Sequence, residues 1–130
     1  MFLMTNVPRT VLIIDDDVML ADLLAAIVEG ADYRPLVAAD GTEGIALART
    51  MAPDVVFCDM SMPGLTGAEV LRTIRDQPST ARVPLVLMSG DQCTDLTAIG
   101  ANAFLSKPFL PAAVLNLLRT LLREESALAA

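Results

Sequence analysis

Three consecutive acids, Asp15-Asp16-Asp17, follow the apolar run VLII, and a further acid, Asp59, follows VVFC. The chain's only lysine is Lys107, and Ser89 ends the run PLVLM. Acids, one ammonium and one hydroxyl form a set able to handle a phosphoryl group. Crowded carboxylates repel and need compensation. A divalent cation with oxygen ligands supplies it, and magnesium takes one or two carboxylates plus waters. A carboxylate edge is then left to act as nucleophile. A lysine opposite can pair with that carboxylate and later with a phosphoryl oxygen, while a hydroxyl donates a hydrogen bond. The chemistry implied is phosphoryl transfer to Asp59, driven by positioning and charge neutralisation. Gly64 and Gly90 are read as small residues that leave room for backbone and phosphate to approach.

Such a set must be brought together by elements far apart in sequence. Thr10–Asp15, Asp54–Asp59 and Pro84–Ser89 are short apolar runs that each end in a polar residue. Runs apolar on both faces suit a parallel sheet covered by helices. Pro35–Ala39 and Ala103–Ser106 read as two weaker strands. Leu20, Leu23, Leu24, Ile27 and Val28 share one helical face, with Gly30 as a stop. Thr42–Met51, Gly67–Gln77 and Pro111–Glu124 give three more helices, with Pro111 in a first turn. Thr94–Ile99 reads as a short helix between the last two strands, and Glu124–Ala130 as a frayed tail. Alternating strands and helices imply an α/β doubly wound, five-stranded parallel sheet with helices on both faces. In that fold ligands bind beyond the carboxyl ends of the strands. Asp15–Asp17, Asp59, Ser89 and Ser106-Lys107 then share one edge, while Asp40 lies aside.

Taken together, Asp15-Asp16 after VLII, Asp59 in CDMSMPGLTG, Ser89-Gly90 after PLVLM, and Phe104 to Phe109 (FLSKPF) resemble the response-regulator receiver family of two-component signalling. The resemblance spans nearly the whole chain, one domain over 1–130 with a core of about 10–123. It implies a flavodoxin-like sheet of order 2-1-3-4-5. It also implies Asp59 as phosphoacceptor, with Mg²⁺ on Asp16, Asp59 and the Ser61 backbone carbonyl, and Asp15 acting through water. Ser89 and Lys107 would contact the phosphoryl group, and Phe104 would be the switch aromatic that turns inward when Ser89 moves, altering the face presented by Leu96, Ile99, Leu115 and Leu118. The implied partners are a histidine kinase or phosphotransfer protein as donor and a downstream protein as target. The implied activity is a switch, not an enzyme, beyond Mg²⁺-dependent self-phosphorylation from donors and slow autodephosphorylation. Between Ser89 and Lys107 the chain is about one helical turn, roughly 3.6 residues, shorter than most relatives. Ser89 stands where threonine is commoner in the family, which keeps the hydroxyl.

Each residue also has a plainer role. Asp17 reads as a helix cap rather than a ligand. Phe104 is a half-buried core aromatic or a moving switch. Cys58 reads as a small core residue and Met60 and Met62 as loop packing. An aspartate-nucleophile phosphohydrolase would also use a strand-end Asp and Mg²⁺, but wants a second Asp where Ser61 stands. A binding-only pseudo-receiver would lack acids, and none is missing. A flavin protein wants a glycine- and hydroxyl-rich loop where three acids stand.

Composition narrows the classes further. The net charge of -7 argues against non-specific nucleic-acid binding. With no His, phosphohistidine on this chain is ruled out. Cys58 and Cys93 have no metal-ligand spacing. No apolar run approaches the roughly 18–20 residues of a spanning helix, so a cytoplasmic location off the membrane is expected. A stand-alone regulator is favoured over a fragment of a larger protein. The last helix is apolar beyond one stripe, at Val114, Leu115, Leu117, Leu118, Leu121 and Leu122, which suggests a partner surface or a homodimer face.

Overall fold

The computed structural model describes residues 7–90 and 100–129, with side chains as far as Leu122. The described residues form five strands and four helices: β1 Thr10–Ile14, α1 Val18–Gly30, β2 Arg34–Ala38, α2 Gly41–Met51, β3 Val55–Asp59, α3 Gly67–Asp76, β4 Leu85–Ser89, β5 Ala103–Ser106 and α4 Pro111–Ala129. The short helix expected at Thr94–Ile99 lies outside the described residues, as does Cys93. All strand pairs are parallel, and the order is β2-β1-β3-β4-β5. Among the described residues no helix is long and apolar enough to cross a membrane.

The sheet is buried on both sides, which accounts for unbroken apolar strands. Val11, Ile13, Phe57, Val86, Met88 and Leu105 point to one side and pack with α1 and α4. Leu12, Ile14, Val56, Cys58, Leu85 and Leu87 point to the other and pack with α2 and α3. Each fully buried large side chain, such as Phe57, contributes on the order of 1.5–3 kcal/mol.

Local signals set the helix ends. Asp17 caps α1, accepting from the Met19 and Leu20 N–H groups. Thr66 and Glu69 form a reciprocal capping box on α3. The buried Thr80 hydroxyl donates to the Ile74 carbonyl at 2.7 Å and closes the last turn of α3.

Several expectations are corrected. The buried face of α1 is Ala21, Leu24 and Val28, so the helix is rotated from the expected stripe and Leu23 is 48% exposed. The rotation sets the small Ala21 against the sheet. β2 begins one residue earlier than expected and ends at Ala38. Gly30 is the last residue of α1 rather than the stop beyond it, and Ala31 is the cap. The last helix runs to Ala129, past its expected end at Glu124. Of the broad stripe on α4, Val114 and Leu118 are buried, and Leu115, Leu117, Leu121 and Leu122 are partly buried against the same core. Much of that stripe is therefore spent inside the molecule.

Candidate functional site

β1 and β3 are neighbours in the sheet, with Ile14 opposite Cys58. Asp15 and Asp59 therefore emerge side by side at the carboxyl edge. Asp15 is held there by its N–H, which donates to the Ala38 carbonyl at 3.1 Å. β5 delivers Lys107 to the same edge, with its N–H donating to the Ser89 carbonyl at 2.9 Å. The Lys107-Pro108 peptide bond is cis.

The lysine joins the two acids. Its Nζ lies 2.8 Å from Asp15 Oδ2 and 3.2 Å from Asp59 Oδ1. Both carboxylates are nearly buried, with side chains 2% and 9% exposed. The other oxygen of Asp15, Oδ1, accepts the Asp17 N–H at 2.9 Å. Asp16 is exposed, yet a carboxylate oxygen from each of Asp15, Asp16 and Asp59 falls within one group, all within 4.8 Å of one another. Three oxygen donors of this kind fit a hard cation such as Mg²⁺. Ser61 is exposed on the loop after β3, and its backbone N–H donates to the Asp59 carboxylate. Ser89 is half-buried at the end of β4, opposite Ser106.

Charge and burial shape these groups. Burial raises the Asp59 pKa, the Asp15 charge raises it further, and Lys107 and the Ser61 N–H only partly offset them. For Lys107, burial works against the ammonium, but the hydrogen bond and charge of Asp15, then Asp59, outweigh it and raise its pKa. The buried Cys58 thiol is pushed up to about 12 by burial first, then by the Asp59 and Asp15 charges.

The close backbone approach expected at Gly64 and Gly90 is found instead at Gly67. A Cβ there would sit 2.5 Å from the Asp59 carbonyl oxygen and 2.7 Å from Met60 Cα. Gly64 serves its turn through a φ of +83° and faces open space, and Gly90 has only ordinary room around it. Met60 and Met62 pack against the α2–α3 side, as expected for loop packing. Phe104 is half-buried and packs on that same side. Leu115 and Leu118, which its movement was expected to alter, pack on the opposite side with α1. The reason is strand alternation, since Leu105 and not Phe104 faces α4. Leu96 and Ile99, expected on the same surface, lie outside the described residues.

Sequence reasoning missed Arg75 and Asn102, which meet at the far end of β5. An arginine in the last turn of a helix was the available signal, but its acceptors lie up to 27 residues away.

Residues 11–119 match the model of the response regulator receiver domain. The chain belongs to that family. Its receiver fold is also similar to the chemotaxis protein CheY4 of Vibrio cholerae, with a TM-score of 0.85 and 29% identity, covering 89% of this chain and 100% of that one. It is 30% identical over 124 residues to the DNA-binding response regulator MtrA of Mycobacterium bovis, covering 92% of this chain and 53% of the relative. It is 35% identical over 121 residues to the DNA-binding dual master transcriptional regulator RpaA of a Synechocystis strain, covering 89% and 49%. The chain thus spans about half the length of these curated relatives.

Proposed function

We propose that this receiver accepts a phosphoryl group on Asp59 from a histidine kinase or phosphotransfer protein and thereby switches its binding to a downstream partner protein. The observation that carries this reading is Lys107 lying between Asp15 and Asp59, with Asp16 alongside. An Asp59 oxygen attacks phosphorus. The new O–P bond forms as the donor's bond to phosphorus breaks, and the donor leaves with that electron pair. The Lys107 ammonium can follow the growing negative charge from carboxylate to phosphoryl oxygen, a charge-assisted contact at short range. The Ser89 hydroxyl donates to another phosphoryl oxygen. Phe104 then follows Ser89.

When bound, Mg²⁺ would supply charge neutralisation for this transfer. Asp16 and Asp59 would hold it, with the Ser61 backbone carbonyl. Both Asp15 oxygens already accept hydrogen bonds, from Lys107 and from the Asp17 N–H, which supports an indirect role for that acid. Self-phosphorylation from small donors and slow autodephosphorylation follow from the same groups. We assign 1–130 to one receiver domain acting in the cytoplasm. Its charge of -7 disfavours non-specific contact between these residues and nucleic acid, while the relatives named as DNA-binding are about twice as long.

Incubation with acetyl phosphate and Mg²⁺ should raise the intact mass by one phosphate. Asp59→Asn should not be labelled, and omitting Mg²⁺ should suppress labelling of the wild type. Equal labelling of wild type and Asp59→Asn would refute the assignment.

A further inference from the structure

β5 has four residues, is the shortest of the described strands, and lies at an edge of the sheet, where it pairs with β4. Its own pattern specifies its register weakly, because Leu105 is its one fully buried residue. Lys107 lies one residue beyond, and its reach to Asp15 depends on that register. A one-residue slip would move it about 3.3 Å and turn its side chain to the other face.

The opposite end of β5 is pinned by side chains. Asn102 donates its N–H to the Leu85 carbonyl at 2.9 Å, and its Oδ1 accepts the Leu85 N–H at 2.8 Å. This reciprocal pair sits just ahead of the first register pair, Val86 with Ala103. Arg75, in the last turn of α3, donates to the same Oδ1 at 2.9 Å. Its guanidinium also donates to the carbonyls of Val83 at 2.6 Å, Ala81 at 3.2 Å and Gly100 at 3.2 Å. One side chain thus ties the chain entering β4 to the chain entering β5. The planar fork of arginine can serve several acceptors at once, which a lysine ammonium cannot match in geometry.

We propose that Arg75 and Asn102 are positioning residues for Lys107: they set the register of β5 from the far edge of the sheet and so fix where the ammonium arrives. The functional part rests on the role proposed above for Lys107. The register part does not.

Amide hydrogen exchange on the full chain tests the register, and acetyl phosphate labelling of Asp59 tests its consequence. Asn102→Leu removes the shared acceptor, and Arg75→Lys keeps the charge but loses the fork. Both should speed exchange of the Lys107 amide by roughly tenfold and slow labelling by a similar factor, on the scale of one lost hydrogen bond. Central amides, such as those of Ile13 and Val56, should exchange as in wild type, which shows that the fold survives. Asn102→Asp retains the acceptor oxygen and should restore both readouts. Unchanged Lys107 exchange in Asn102→Leu and Arg75→Lys, with loosening confined to residues 100–103, would overturn the proposal. Faster exchange with undiminished labelling would uphold the register device and remove Lys107 from the reaction. Lys107→Ala labelled at the wild-type rate would do the latter independently.

Discussion

At Asp59, burial and the neighbouring Asp15 charge both disfavour ionisation, and this has a consequence for stability. A carboxyl whose pKa is raised on folding contributes stability that is complete below its unfolded pKa. That contribution is lost as pH rises through the folded value. At neutral pH and without divalent cation, ionised Asp59 is therefore a net burden on the fold. Asp59→Asn should raise the melting temperature in chelator at pH 7 by a few degrees, equivalent to about 1 kcal/mol. The gain should shrink as pH falls towards the ordinary carboxylate range. A constant gain across that range would place the cause elsewhere. Cys58 is governed by the same field. With its thiol pushed up to about 12 and no exposed surface, it carries almost no thiolate at pH 8. In a Cys93→Ser background, a thiol reagent at pH 8 should modify Cys58 only in denaturant. Rapid modification of the native protein would contradict its burial.

The elements show where a sequence is legible and where it is not. Apolar runs ending in Asp15, Asp59 and Ser89 disclosed three of the strands, because period and end residue are local properties, and the parallel order they implied brings those ends to one edge. The rotation of α1 was not legible. Leu20 and Leu23 continue the apolar stripe as well as Ala21 does, and only packing against the sheet selects among them. The Arg75–Asn102 contact was hidden for a related reason, since nothing near either residue names the other. Gly67 lies between these cases: its place at the start of α3 is local, but the tight approach to the Asp59 carbonyl is not. Gly67→Ala should destabilise by roughly 1–3 kcal/mol, because backbone rather than a flexible side chain must move. Gly30→Ala meets open space at the end of α1 and should stabilise by a few tenths to about 1 kcal/mol. Urea midpoints of the two variants should therefore move in opposite directions. A shift of the same sign in both would mean that helix propensity, not the contact with Asp59, decides at Gly67.

Across the whole molecule the sheet divides the core into two halves that share strands but not side chains. A phosphoryl group on Asp59 would add roughly -1.5 to -2 charges at the edge where both halves end. The response need not reach both. Leu87 stands opposite Phe104 in the β4–β5 register, and the two pack on the side of α2 and α3. Val86, Met88 and Leu105 alternate to the other side, where they hold Val114 and Leu118 of α4. If Ser89 is drawn towards the phosphoryl group, the proposed switch would fill the space it leaves with Phe104, on its own side. A two-state equilibrium needs only a bias towards one arrangement, so a small displacement of Phe104 suffices. Hydrogen exchange with and without a beryllium fluoride adduct should therefore change at Ala101 to Leu105 and at Leu87. The amides of α4 from Val114 to Leu118 should keep their protection, because their packing partners lie across the sheet from Phe104. Changes in α4 equal to those in β5 would mean that the signal crosses the sheet through Leu105. Phe104 would then be core packing, and the output of this receiver would be carried by the α1–α4 half.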